Sequence, residues 1–183
     1  LCGGGGKALA LAAAAPGARV IASDTNRQRL SQLAPRAERA GATIETRLLD
    51  GGREVEQLAE LAGSMDVVLV DAPCSGSGTW RRNPEGRWRL TPERLTRLVD
   101  LQKRLLDIAA PLVRPGGRLV YATCSILSVE GSWQAADFLG RHSGWRAQDA
   151  GFDGGRTDGA ATVLTPHHDT TDGFTVACFV APC

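Results

Sequence analysis

No apolar run in the sequence is long enough to cross a bilayer, and no secretory signal is legible, so no membrane partner is expected and the cytoplasm is the expected compartment. Cys-x-x-Cys spacing is absent too. The five cysteines (Cys2, Cys74, Cys124, Cys178 and Cys183) are an odd number, which argues against a disulfide framework and against a zinc site. Histidine is scarce. Of the three, His167 and His168 are adjacent, a spacing that gives no metal-binding helix face, and no metal is expected. Charge of one sign is lacking as well: the formal net charge is +1, which taken globally is weak support for a nucleic-acid partner. No internal repeat appears. No strand precedes the opening glycine loop, so residues 1–183 read as a fragment of a longer protein, one domain that is incomplete at its N-terminus.

What is present is the composition of an ordinary globular domain, 43% hydrophobic and 22% charged. Lys7–Ala15 is a strong helix former stopped by Pro16-Gly17. "ARVIASD" is a strand ending at Asp24, Asn26–Ala40 a helix on a 3.6-residue period, and "ATIETRLLD" a strand ending at Asp50. A helix follows over Val55–Leu61. Met65–Val70 is a continuous apolar run, expected to be a strand buried on both faces. Thr91-Pro92 opens a long helix to about Val113, with Leu95, Leu98, Leu101, Leu105, Ile108 and Leu112 on one side. "RPGGRLVYATCS" is a turn and a strand, and Val129–Arg141 a helix. "ATVLTP" and "FTVACFVAP" are late strands around the polar loop "HHDTTDG". Alternating strands and helices predict an α/β, doubly wound sheet.

In such sheets ligands bind beyond the carboxyl ends of the strands. Asp24, Asp50, Asp71 with Cys74, and Cys124 are the residues at those ends. Gly3-Gly4-Gly5-Gly6 permits close approach of backbone to a ligand at a helix N-terminus, and Asp24 is placed to accept from ribose hydroxyls. A dinucleotide and S-adenosylmethionine fit that much equally. Asp50, suited to an adenine amino group, and Asp71, suited to a methionine ammonium, favour S-adenosylmethionine, because carboxylates repel a pyrophosphate.

Two strands that each end in a thiol make sense on a pyrimidine. C5 of cytosine is a poor nucleophile, and thiolate addition at C6 turns it into an enamine carbon that attacks a methyl sulfonium. A carboxyl group such as Asp71 can hydrogen-bond the far side of the ring, and a second thiol can assist release of the adduct. The plainer reading, cysteine as a small apolar packing group, suits Cys178 and Cys183. It suits Cys74 poorly, because Pro73 and Ser75-Gly76-Ser77-Gly78 place it outside regular structure.

"DAPCSGSG" and "YATCS" resemble the paired cysteine motifs of the RsmB/Nop/Sun family of S-adenosylmethionine-dependent RNA 5-methylcytosine methyltransferases. "GGGGKALALAA" is similar to that family's cofactor loop, and "TPHHDTTDGFTVACF" to its C-terminal strand pair. The resemblance implies a Rossmann-like class I methyltransferase sheet with an antiparallel C-terminal strand and its first core strand outside the chain. It implies Cys124 as nucleophile and Cys74 as the group that helps release product. Gly3, Gly4, Gly5, Gly6, Lys7, Asp24, Asp50 and Asp71 fall on cofactor and base-contacting positions. The glycine loop departs from the family's Cys-Ala-x-x-Gly-Gly-Lys, with Cys2 displaced by one place. Of the family's Glu-Asn-Glu after the nucleophile, Glu130 alone carries over.

The implied partner is RNA, ribosomal first and transfer RNA second, acted on by a monomer. Between Arg81 and Arg114 nine Lys/Arg stand against four Asp/Glu. Arg81, Arg82, Arg87 and Arg89, interleaved with Trp80 and Trp88, are candidates to hold phosphates or stack on bases; the alternative is tryptophans that cover a core edge. Two other function classes stand beside this reading: a NAD-dependent Rossmann oxidoreductase, which leaves the paired thiols idle, and a non-catalytic RNA-binding module that keeps the fold.

Overall fold

A computed structural model describes residues 5–183 of the chain, which divide into two compact units at Leu58/Ala59. In the first, α1 (Gly6–Ala14) leads to β1 (Val20–Asp24), α2 (Arg27–Ser31), α3 (Leu33–Arg39), β2 (Ile44–Leu48) and α4 (Glu54–Gln57). β1 and β2 are parallel, with Val20 opposite Ile44 and Asp24 opposite Leu48. A small core of Ala8, Ala22 and Leu33 joins α1 to this pair. The single helix expected over Asn26–Ala40 is two, joined at Gln32. Pro35 has no N–H for the Ser31 carbonyl, which weakens the helix at that junction. The strand expected to reach Asp50 stops at Leu48, and the helix expected over Val55–Leu61 is α4 followed by a 3₁₀ turn.

The second unit contains β3 (Met65–Asp71), α5 (Glu85–Trp88), α6 (Pro92–Ala109), β4 (Val113–Thr123), α7 (Ser132–Arg141), β5 (Arg146–Gln148), β6 (Arg156–Asp158), β7 (Ala161–Leu164), α8 (Pro166–Asp169) and β8 (Phe174–Val180). Its sheet runs β3-β4-β8-β7-β6, with β5 also paired to β8. β3 and β4 are parallel, and every other pair in this sheet is antiparallel, including the C-terminal β8 against β4. The architecture is therefore mixed α/β, with its strands in two sheets rather than one. The expectation that β3 is buried on both faces fails at Asp66 and Val67, which are exposed. Among the described residues β3 has β4 on one side and no strand on the other, and its burial is complete only at Val70.

The core of this unit is Leu106, Leu119, Tyr121, Ala135, Phe138 and Phe179, all fully buried. Phe138 is its centre, in ring contact with Phe179, Trp145 and His142. α6 starts as expected, with the Thr91 hydroxyl accepting from the Arg94 N–H and Pro92 in the first turn. Its buried line, however, is Gln102, Leu106 and Ala109, and the leucine stripe that the sequence suggested is only half-buried beside it. Gln102 is drawn inward by hydrogen bonds to the Pro73 carbonyl and the Glu130 carboxylate. Two strands were not anticipated, β5 and β6, and the first residues of the "HHDTTDG" loop form the end of α8.

Candidate active site

Parallel pairing puts two turns side by side. Asp71 at the end of β3 is opposite Ala122 on β4, and the register is extended by the Ala72 N–H donating to the Ala122 carbonyl at 3.0 Å. Cys74 and Cys124 follow within three residues of that pair, so both emerge at the same edge. Their Sγ atoms are 3.4 Å apart, both are half-buried, and both are free thiols. Asp71 is half-buried at the root of the Cys74 turn.

Beneath the sulfurs is a buried polar cluster built on Glu130, which is fully buried. Its carboxylate accepts from the Ser75 N–H at 2.8 Å and Ser75 Oγ at 2.5 Å, from Ser125 Oγ at 2.7 Å and from Gln102 Nε2 at 3.0 Å. Gln102 also donates to the Pro73 carbonyl at 2.9 Å, which explains a glutamine on the buried line of α6. Ser77 Oγ lies 2.9 Å from Ser125 Oγ and accepts from the Ile126 N–H. The Gly78 N–H donates to the Cys124 carbonyl, and Thr175 Oγ1 donates to the Ser125 carbonyl at 2.8 Å. Each thiol is thus fixed through the serine that follows it.

The electrostatics separate the two thiols. The hydrogen bond with Cys124 holds the Cys74 thiol far above the usual thiol range, reinforced by burial, by charge on Cys124 and by the Glu130 carboxylate, and opposed by a backbone hydrogen bond from Gly76. The two sulfurs are in S–H···S contact, in which either thiol can be the donor. Burial, then Glu130 and Cys74, push the Tyr121 phenol up. It remains a donor, to the Glu130 backbone carbonyl at 2.6 Å.

The arginines after Cys74 are exposed and mostly paired. Arg81 and Arg82 both reach Asp172, Arg89 reaches Glu85, and the Arg87 guanidinium lies 4.4 Å over the Trp88 ring. The tryptophans divide: Trp80 is half-buried against Gly86, whereas Trp88 is 76% exposed and covers no core.

The candidate cofactor residues belong to the first unit, apart from Asp71. Gly3 and Gly4, with Cys2, lie outside the described residues. Gly5 precedes α1 with φ +86°, and a Cβ there would stand 2.3 Å from Leu33 Cδ1, so the close turn demands glycine. Among the described residues no side chain caps α1, so its first N–H groups are suited to an acceptor oxygen of a ligand. Lys7 is exposed on its first turn. Asp24, 1% exposed, ends β1 and accepts from the Asn26 N–H at 2.8 Å. Asp50 is exposed two residues beyond β2, held by Gln57 Nε2 at 2.9 Å. Two carboxylates after parallel strands suit the hydroxyls and amino group of a nucleoside ligand, and the helix start suits an acceptor oxygen or carboxylate on it.

Sequence reasoning passed over Gln102, Ser75 and Ser125, and took Glu130 only as a carried-over motif position. Two signals were available. Cys-Ser occurs twice, at both thiols, and Gln102 interrupts a 3-4-3 apolar line through Val99, Leu106 and Ala109.

The 16S rRNA methyltransferase RsmB/F family model matches residues 1–180. Ribosomal RNA small subunit methyltransferase B of Thermus thermophilus is 42% identical over 149 residues, covering 81% of this chain and 35% of the relative. That of Pectobacterium atrosepticum is 38% identical over 176 residues, covering 96% and 40%. The chain thus spans about two-fifths or less of the length of these curated relatives. Among solved structures, NSun6 from Pyrococcus horikoshii with SFG superposes with a TM-score of 0.76 at 23% identity, covering 88% of this chain and 41% of that one, a likeness of fold. With a family match along nearly its whole length, paired cysteine turns included, this chain belongs to the 16S rRNA methyltransferase RsmB/F family.

Proposed function

We propose that the chain is the catalytic part of an S-adenosylmethionine-dependent enzyme that methylates C5 of cytosine in RNA, ribosomal RNA first, in the cytoplasm and as a monomer. The observation that carries this reading is the 3.4 Å separation of Cys74 and Cys124 at adjacent strand ends. The cofactor is assigned to Gly3, Gly4, Gly5, Gly6, Lys7, Asp24, Asp50 and Asp71. S-adenosylmethionine, when bound, supplies an electrophilic methyl group.

Cys124 adds through Sγ to C6, and the C5–C6 electron pair moves to C5. Asp71 hydrogen-bonds the far side of the ring, favouring the adduct. Once C5 carries the methyl, a water molecule takes the C5 proton, the C–H electron pair re-forms the C5–C6 double bond, and the C6–Sγ bond breaks with its pair leaving on sulfur. The departing Cys124 sulfur takes up negative charge, and the Cys74 S–H beside it is the donor that stabilises it. Relatives named as ribosomal RNA methyltransferases, and a structural neighbour with SFG, support the substrate class and the cofactor.

In the full-length enzyme, Cys74→Ala is expected to accumulate a covalent RNA adduct, seen as a band shifted on a denaturing gel, and Cys124→Ala to remove both adduct and methylation. An adduct that survives Cys124→Ala overturns the roles. Tight binding of NAD with none of S-adenosylhomocysteine overturns the cofactor.

A further inference from the structure

Burying a carboxylate costs several kcal/mol unless its lone pairs are met, and a core built for stability alone does better with an apolar group of the same volume (about that magnitude in either case). Glu130 is fully buried all the same, and its four donors come from three separate segments: the Cys74 turn (Ser75 N and Oγ), the Cys124 turn (Ser125 Oγ) and α6 (Gln102 Nε2). Both serines are the residues directly after the thiols. The carboxylate therefore spans the two turns as a brace, and shifting either serine shifts the sulfur next to it. Tyr121 fixes the Glu130 backbone from below, and Gln134 orients Gln102 by donating to its Oε1 at 3.3 Å while anchoring to the Val99 carbonyl at 2.7 Å.

The brace also carries charge on one side of the thiol pair. The titratable groups that act on Cys74 or are acted on by it are Cys124, Glu130 and Tyr121, and α6 brings the neutral Gln102 to the cluster. Among these, Glu130 disfavours a thiolate at Cys74.

Resting on the cytosine-methylation reading for its catalytic meaning, we propose that Glu130 is a positioning residue: it clamps the Cys74 and Cys124 turns in thiol contact through Ser75 and Ser125. The clamp holds the Cys74 thiol beside the sulfur that adds to the base.

The test uses the full-length protein, with Glu130→Gln and with the double variant Ser75→Ala/Ser125→Ala. Two readouts need no turnover. The first is the pH midpoint of Cys74 alkylation by iodoacetamide, followed by mass spectrometry. The second is the rate of Cys74–Cys124 disulfide closure by oxidised dithiothreitol, in which the two thiols lose two electrons and two protons to the reagent and reduce it to its dithiol.

Glu130→Gln is expected to slow closure about 5-fold or more and to lower the Cys74 midpoint, as loss of a neighbouring negative charge requires. The serine double variant keeps the carboxylate, so it is expected to slow closure at least 5-fold with the midpoint close to wild type. The third readout is methylation: Glu130→Gln is expected to lower kcat about 10-fold or more with KM for RNA little changed, and to accumulate the adduct. Closure at the wild-type rate in Glu130→Gln overturns the proposal. Should that variant not fold, wild-type closure in the serine double variant overturns it instead. If the thiol readouts move as expected while no adduct forms in any variant, the clamp stands and the methylation reading falls.

Discussion

Gly78 sits where two backbones cross. A Cβ at this position would lie 2.0 Å from the Gly173 carbonyl oxygen and 2.5 Å from its carbon, and those atoms are main chain that cannot rotate away. The crossing is sealed by the Gly173 N–H donating to the Gly78 carbonyl, and the Gly78 N–H holds the Cys124 carbonyl. Gly78→Ala is therefore expected to destabilise the protein by about 1–3 kcal/mol or more, as overpacking does, and to displace the Cys124 turn. Thermal unfolding reads the first effect, and loss of methylation beyond the loss of folded protein reads the second. Gly140, within α7, has nothing within 4 Å of an added Cβ. Gly140→Ala is expected to stabilise by about 0.5–1 kcal/mol, since glycine loses more backbone freedom in a helix. The same substitution thus carries opposite signs at two glycines, decided by what each Cβ meets.

At the scale of elements, α6 and α7 are joined by an ionic seam. Lys103 reaches Asp137 at 3.2 Å, Arg141 binds both Asp137 and Asp107, and His142 Nε2 lies 2.8 Å from Asp107. Partial burial pushes the Asp107 carboxyl up, but Arg141 and His142 together hold it below the usual carboxylate range. A depressed carboxyl stabilises the fold above its unfolded value, near pH 4, and that contribution disappears as pH falls through the folded value. Asp107→Asn is therefore expected to lower the melting temperature at pH 7 and to match wild type near pH 2. The difference is worth about 1 kcal/mol or less, because the pair is partly exposed. The elements themselves were legible to different degrees. α6 was readable from Thr91-Pro92 and its leucines, and the parallel β3–β4 pair from two apolar runs that each end in a thiol. Its buried line was not, because Gln102 is inside on account of Pro73 and Glu130, partners 29 and 28 residues away. β5 and β6 were invisible because all their residues are exposed, so pairing with β8 and β7 makes them strands without an apolar pattern. The convergence of Cys74 and Cys124 followed from strand-end logic, while the brace beneath them depends on serine rotamers and a turn that no periodicity encodes.

For the molecule as a whole, a net charge of +1 sets the terms on which the proposed RNA partner would be held. Affinity that rests on phosphate neutralisation falls steeply with salt, in proportion to the number of cations engaged. Here Arg81 and Arg82 are spent on Asp172 and Arg89 on Glu85, so a phosphate has to displace an existing partner to gain any of them. Trp88 is in the opposite position: it is exposed, its face is backed by the Arg87 guanidinium, and stacking on a base displaces only water. An unstacked base on an aromatic face is worth about 1–3 kcal/mol. In the full-length protein Trp88→Ala is therefore expected to weaken RNA binding roughly 5- to 100-fold, at low and at moderate salt alike. Arg82→Ala is expected to cost little, because it also releases Asp172 from its partner. Fluorescence anisotropy with a labelled single-stranded RNA at two salt concentrations measures both. A Trp88→Ala protein that binds as wild type while Arg82→Ala loses affinity would reverse the order and make the arginines, rather than the indole, the contact that holds the strand.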